Sequence, residues 1–224
     1  IRWTATWETN RGCPYGCTFC EWGSKTLSKV DSFGMERIRR EIEWFADHKI
    51  SWVFCADANF GILKRDQQIA EFLVETKRKK GYPVDFRVAF AKNANERVLS
   101  VGNTLSEANL LQGLSLDLQS MDEGVLENIK RKNIRTEELL DMIQKLKGFT
   151  YGAQTDFLVG LPDETYQSHL QSLEKALSMG INHILGGEVE LLPGSEMDSE
   201  FSRKRFGLKT KYRFVEGAYG LYKG

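Results

Sequence analysis

A chain of 224 residues can bury one sizeable core, and barrel-like α/β domains of this length fold as a single unit. Its 31 Lys and Arg balance 31 Asp and Glu, so no net field gathers a polyanion, and nucleic acid is not an expected partner. No apolar run approaches the ~18 residues that span a bilayer, so a membrane protein is not expected and the cytoplasm is.

Residues 3–8, WTATWE, alternate as a first strand does and lead into a loop with three of the chain's four cysteines. An apolar stripe at Ile38, Ile42 and Phe45 predicts a helix over 34–47. Residues 50–61, ISWVFCADANFG, are a short apolar run ending in polar residues and Gly, the pattern of a buried second strand and its loop. A helix over 66–80 turns Ile69, Phe72 and Leu73 inward and the basic run 77–80 outward, and Gly81 and Pro83 end it. VDFRVAF (84–90) is a third strand, followed by a helix over 95–111 with a weak point at Gly102 and Asn103. GLSLDLQS (113–120) is a fourth strand. Residues 122–130 and 136–147 are helical, with Thr136 as a cap for the second. AQTDFLVG (153–160) is a fifth strand, 168–180 a helix stopped by Gly180, and NHILGGEVELL (182–192) a sixth strand. The basic runs 77–80 and 203–205 read as solvated faces rather than nucleic-acid patches.

Strands alternating with helices imply βαβ units and a parallel sheet. Right-handed crossovers curl such a sheet into a barrel or part of one. The expected fold is α/β, a partial (β/α)6 barrel with parallel strands. It forms one domain over 1–200, and 201–224 is an unassigned C-terminal extension. The sequence opens on Ile1 rather than Met and reads as a fragment, so a targeting segment upstream stays open.

Cys13, Cys17 and Cys20 fall within eight positions of NRGCPYGCTFCEWG (10–23). Four cysteines in a chain this long do not make a disulfide scaffold, and the clustered three point to a metal or cluster site in a reducing compartment. Structural zinc takes four protein ligands, so a fourth would have to come from Cys55, His48, His169 or His183. Cys55 lies in an apolar strand and reads as core. Three ligands without an obvious fourth suit a 4Fe–4S cubane with one iron open to a substrate or cofactor. Gly12, Pro14 and Gly16 fit a loop that must turn successive thiolates inward. A non-catalytic iron–sulfur or zinc module stands as the plainer alternative.

Cys13-Pro-Tyr-Gly-Cys17-Thr-Phe-Cys20, after the first strand of a β/α series, resembles the C-x3-C-x2-C signature of the radical S-adenosylmethionine (radical SAM) superfamily. Further segments resemble the same family: ADANF (56–60), LDLQSMDEGVLENIKR (116–131), LVGLPDET (158–165) and LLPGSEM (191–197). Asp163 stands where the family pattern has Gly. The resemblance spans residues 3–197. Glu21-Trp22-Gly23-Ser24 and residues 57–61 are closest to members that carry a cobalamin-binding domain before this core, which here would lie upstream of Ile1.

The resemblance implies an enzyme with a 4Fe–4S cluster on Cys13, Cys17 and Cys20, and with SAM as second cofactor. Cobalamin follows if the upstream domain exists, and the narrower alternative is then a cobalamin-dependent radical SAM methyltransferase. The implied chemistry is one-electron cleavage of SAM to a 5′-deoxyadenosyl radical that abstracts hydrogen from a substrate the sequence does not identify. The cofactors carry that chemistry, and the protein orients and shields them. An electron donor such as flavodoxin or ferredoxin is the implied partner. Barrel folds place such sites at the strand C-terminal ends.

By the same resemblance Phe19 lies beside adenine, and Asp57 and Asn59 meet the methionine end of SAM. Gln119 and Ser120 reach its ribose or carboxylate, Arg131 pairs with the carboxylate, and Gly160 and Leu161 shape the adenine pocket. Plainer readings stand beside these. Phe19 packs under the loop, Asp57 and Asn59 close an Asx turn, and Gln119 is satisfied by backbone. Arg131 is a surface charge, and Gly160 and Leu161 form a strand-end turn. Glu188 and Glu190 share a face of the sixth strand by period two. They are substrate contacts if that face is the barrel interior and solvated carboxylates if not. Asp117 and Asp156 raise the same question.

Overall fold

The computed structural model describes residues 2–22, 28–92, 96–146, 152–181 and 183–211. In chain order the elements begin with β1 (Trp3–Trp7), β2 (Asn10–Arg11), β3 (Asp31–Ser32), α1 (Met35–Asp47), β4 (Ile50–Phe60), α2 (Asp66–Lys80), β5 (Asp85–Phe90) and α3 (Glu96–Glu107). They continue with β6 (Leu114–Ser115), α4 (Glu123–Asn128), α5 (Thr136–Lys145), β7 (Ala153–Val159), α6 (Tyr166–Ser178), β8 (His183–Glu188) and α7 (Glu200–Phe206). No helix among the described residues is long and apolar enough to cross a membrane.

The six main strands form two parallel sheets, β1-β4-β5 and β6-β7-β8, each laid down in chain order. β2, at the start of the cysteine loop, and β3 make a small antiparallel pair. α1 covers β4 through Ile38, Ile42, Phe45 and Ala46, spaced as one face of a helix requires. α2 buries Ile69, Ala70, Leu73 and Val74 and ends on Gly81, whose φ of 80° suits a residue without Cβ. Lys77 to Lys80 fill its last turn, where positive charge complements the helix dipole.

β4 shows how the sequence sorts its two faces. Val53 and Cys55 are fully buried against the helices, while Trp52 and Phe54 point the other way and stack at 6.1 Å with 9° between ring planes. The outer layer, between sheets and helices, holds one core that includes Phe60, Phe86, Phe90 and Leu105. The inner, concave face is more polar. Trp52, Phe54, Arg87, Asp117, Gln154 and Asp156 line a cavity there of about 420 Å³.

Several boundaries differ from the sequence reading. The fourth strand shortens to Leu114–Ser115, because Asp117 and Gln119 take positive φ values of 43° and 66° and leave the ladder, with one isolated bridge from Gln119 to Phe157. α3 runs unbroken through Gly102 and Asn103. Arg135, not Thr136, is the N-cap of α5, and it makes no side-chain cap bond. α6 begins at Tyr166 because Thr165 and Ser168 form a reciprocal capping box. The short helix α7 crosses position 200, and the Ser202 hydroxyl donates to the Glu196 carbonyl at 2.8 Å. Gly23 and Ser24, the end positions 95, 147 and 182, and most of the 201–224 extension lie outside the described residues.

Candidate metal and cofactor site

The cysteine loop leaves β1 and is fixed at both ends. At its root Asp57 of β4, fully buried, accepts from the Thr9 N–H at 2.6 Å, the Asn10 N–H at 3.1 Å and the Asn10 amide at 2.7 Å. The Thr9 hydroxyl donates to the same carboxylate. Arg65 Nη2 donates to the Thr9 carbonyl at 2.5 Å, and Nη1 to that of Phe33. At the far end the Thr18 N–H donates to the Ile129 carbonyl at 3.1 Å, and the Met197 N–H to the Thr18 carbonyl at 2.8 Å. One loop is thus tied to β4, to the end of α4 and to the segment after β8.

Cys13 and Cys17 are buried and Cys20 is partly exposed. Two of the sulfurs have donors. Asn59 Nδ2 lies 3.1 Å from Cys13 Sγ, and Lys92 Nζ lies 2.9 Å from Cys17 Sγ. The same ammonium sits 5.2 Å from the centroid of the Tyr15 ring. Arg131, 5% exposed, also stands beside Cys17. Its Nε donates to Asn133 Oδ1 at 2.9 Å and its Nη2 to the Asp117 carbonyl. Burial pulls the Arg131 pKa below its ordinary value, while Cys17 and Asp117 push it back up. Burial, followed by Cys13, raises that of Tyr15.

Amide and ammonium donors aimed at sulfur, with a buried guanidinium alongside, are the surroundings an anionic sulfur needs. The donor set fits thiolate ligation of a cluster. It does not fit the four-ligand zinc alternative. Among the described residues no three His, Cys, Asp or Glu side chains, the three loop cysteines included, converge on one point as a single metal ion requires. The proposed fourth ligands are also elsewhere. Cys55 is buried beside Asp57, and burial pushes its thiol well above its usual range. His48 stacks on Trp44 at 4.1 Å, His169 Nδ1 meets Glu164 at 3.0 Å, and His183 sits on β8 in register with Gln154.

The remaining candidates divide by position. Phe19 is half-buried and packs on the small cluster of Val125, Ile129, Leu161 and Met197 under the loop. Asp57 has both oxygens engaged by Thr9 and Asn10. Asn59 spends its amide nitrogen on Cys13, while its Oδ1 is buried with no hydrogen-bond partner among the described residues. The Gln119 backbone bonds with β7, donating to Asp156 at 2.8 Å and accepting from Leu158 at 2.9 Å. The Ser120 hydroxyl is fully buried and accepts from the Asp122 N–H at 3.2 Å. Gly160, at φ 89°, is exposed and donates its N–H to Glu164 at 3.0 Å.

The interior reading of the two glutamates is corrected by the strand register. Glu188 pairs with Val159, on the opposite face from the Asp156–Leu185 pair that lines the inner cavity. Glu190 lies past the end of β8, and both glutamates are exposed. The cavity carries Asp117 and Asp156 instead, and burial, with help from the Asp117 charge, raises the Asp156 pKa. Sequence reasoning missed Lys92, which stands two residues past the third strand, and the anchoring pair Thr9 and Asn10. The available signal was position alone, a polar residue at the C-terminal end of a barrel strand.

The family model of the radical SAM superfamily matches residues 7–176. The chain belongs to the radical SAM superfamily. It is 41% identical over 220 residues to the cobalamin-dependent radical SAM methyltransferase TokK of Streptomyces tokunonensis, covering 96% of this chain and 32% of that protein. It is 42% identical, with the same coverage, to 2-(S-pantetheinyl)-carbapenam-3-carboxylate methyltransferase of Streptantibioticus cattleyicolor. The chain therefore spans about a third of the length of these curated relatives. Its backbone is similar to that of the radical SAM methyltransferase TsrM from Kitasatospora setae, solved with cobalamin and a [4Fe–4S] cluster bound. The TM-score is 0.74 at 15% identity, over 96% of this chain and 38% of that one. This likeness shows a shared fold, the partial barrel of radical SAM enzymes.

Proposed function

We propose that this chain is the catalytic core of a radical SAM enzyme, with Cys13, Cys17 and Cys20 as the ligands of its 4Fe–4S cluster. The observation that carries this is the pair of donors on ligand sulfurs, Asn59 on Cys13 and Lys92 on Cys17, contributed by strand β4 and by the residue two positions past β5. The loaded site supplies one-electron cleavage of SAM to a 5′-deoxyadenosyl radical. Around it the chain's own residues orient and enclose. Asn59 turns its unpartnered Oδ1 toward the methionine ammonium, and Arg131 lends its buried charge to the carboxylate. Gln119 and Ser120 serve the ribose. Phe19, Gly160 and Leu161 form the adenine wall. Asp57 acts through the loop it anchors rather than on SAM itself. The inner cavity with Arg87, Asp117 and Asp156 receives the substrate, and the protein wall keeps water from the radical. The core in this reading runs over 1–200, with 201–224 as an extension rooted by α7. A carrier such as flavodoxin or ferredoxin delivers the electron.

The similarity to two methyltransferases at 41% and 42% identity favours a narrower reading, a cobalamin-dependent methyl transfer with cobalamin held outside this core. Both readings are tested on the full-length protein, reconstituted anaerobically with iron and sulfide, reduced, and given SAM and cobalamin. 5′-Deoxyadenosine is the expected product. Its absence with a verified cluster rejects the enzyme reading. 5′-Deoxyadenosine without any S-adenosylhomocysteine, in the presence of candidate substrates, rejects methyl transfer.

A further inference from the structure

Lys92 is held against a ligand sulfur from several directions. It follows β5 by two residues, so the strand fixes its root at the rim of the barrel. Its ammonium lies 2.9 Å from Cys17 Sγ and 5.2 Å from the Tyr15 ring centroid, so two positions of the cysteine loop hold it. Neither of these two described partners is a carboxylate, and the contact directs the positive charge at sulfur. Asn59 gives Cys13 a donor in the same way but without a charge.

We propose that Lys92 sets the reduction potential of the cluster by holding its charge against the Cys17 sulfur. This inference rests on the radical SAM reading above. Reduction adds one electron from an external reductant; no bond forms or breaks and no proton moves. Lys92 attracts the reduced state more strongly than the oxidised one, because the Coulomb term grows with the negative charge it faces. Partial burial limits the screening of that term by water and salt. Charge and hydrogen bonds at the sulfurs are general levers on iron–sulfur potentials. Lys92 is thus a positioning residue that acts through Cys17, not a residue that contacts substrate.

The test uses the full-length protein, reconstituted with iron and sulfide and titrated with dithionite in the absence of SAM. The reduced cluster is read by electron paramagnetic resonance. Lys92→Met is compared with wild type and with Lys92→Arg. At the wild-type midpoint the reduced-to-oxidised ratio of Lys92→Met falls about tenfold, which is ~59 mV for a one-electron couple, and Lys92→Arg recovers most of the loss. An unchanged midpoint in fully loaded Lys92→Met overturns the proposal, and so does an unchanged midpoint accompanied by weaker SAM binding. Where Lys92→Met loads poorly, Lys92→Gln keeps a neutral donor, and a wild-type midpoint in that variant overturns the proposal equally. A wild-type protein that takes up no cluster overturns the radical SAM reading itself, a result distinct from any shift among variants.

Discussion

Asp57 accepts the backbone N–H of Thr9 across 2.6 Å, so a carboxylate on β4 holds the residue from which the cysteine loop departs β1. Thr9 and Asn10 are both buried, and together they give this carboxylate four donors. Removing it strands those donors away from water. Asp57→Ala is expected to destabilise the fold by ~3 kcal/mol, within the range for breaking a buried charged network, and to lower iron bound per chain. Asp57→Asn keeps one acceptor oxygen and loses less of both. Urea unfolding and iron analysis check the pair.

Cys13→Ala, Cys17→Ala and Cys20→Ala are each expected to abolish the iron–sulfur absorbance of the reconstituted protein. Cys55→Ala retains it, because Cys55 belongs to the core beside Asp57, and costs only about 1–2 kcal/mol as a small buried truncation. Loss of the cluster in Cys55→Ala, with the fold intact by circular dichroism, would contradict the three-ligand assignment.

Asp66 caps the turn before α2 through the Gly61 N–H at 2.8 Å and the Leu63 N–H at 3.0 Å. Burial dominates these bonds and pushes its carboxyl up to about 6. The folded state therefore binds a proton more tightly than the unfolded chain, whose carboxyl titrates near ~3.9. Stability is highest below that lower value, falls as pH rises between the two, and levels off above the folded pKa. The effect of this group is on the order of 3 kcal/mol. Burial raises Asp57 in the same direction. Asp66→Asn keeps an acceptor for both N–H groups and is expected to flatten the Asp66 share of the slope, measured by urea unfolding at several pH values.

Gly61 ends β4 at φ 89°, and a Cβ there would meet Val98 Cγ2 at 2.9 Å. Gly61→Ala is expected to cost about 1–3 kcal/mol, from backbone strain plus overpacking. Adding Val98→Ala relieves the contact and leaves the strain. The two melting temperatures separate these contributions.

Arg131→Met removes the buried cation beside Cys17. Weaker SAM binding by about tenfold is expected, the loss of one charge-assisted contact at ~1.4 kcal/mol, with iron content unchanged. Arg131→Lys lacks the planar fork and recovers only part of the affinity. Equilibrium dialysis of SAM against the loaded protein gives both values.

Much of the outer layer was legible in the sequence, because period and punctuation write it there. α1 and α2 follow from the spacing of Ile38, Ile42, Ile69 and Leu73, and Gly81 marks its own stop. The fourth strand was over-extended, because Leu114, Leu116 and Leu118 alternate as in a strand while the backbone at Asp117 and Gln119 turns to positive φ. The cysteine ligands announce themselves by spacing, but their neighbours do not. Lys92 reaches Cys17 across 75 positions, and Asn59 reaches Cys13 across 46. Such pairings are made by the closing of the barrel, and no local pattern encodes them. The face of Glu188 likewise depends on its register with Val159, which is a property of two strands rather than one.

The wall of this barrel is laddered in two separate pieces, β1-β4-β5 and β6-β7-β8. Sliding one piece along the other breaks no inter-strand ladder, whereas a slip within either piece inverts every side chain on the moved strand. The 108–113 connection joins the pieces and is itself built into the core: the Phe86 N–H of β5 donates to its Leu110 carbonyl at 2.8 Å, and Leu110 and Leu111 are buried. A change of length there would move Asp117 and Asp156 relative to Trp52 and Arg87 at the expense of that bond and that packing, while the pairings of β1, β4 and β5 behind the sulfur ligands keep their register.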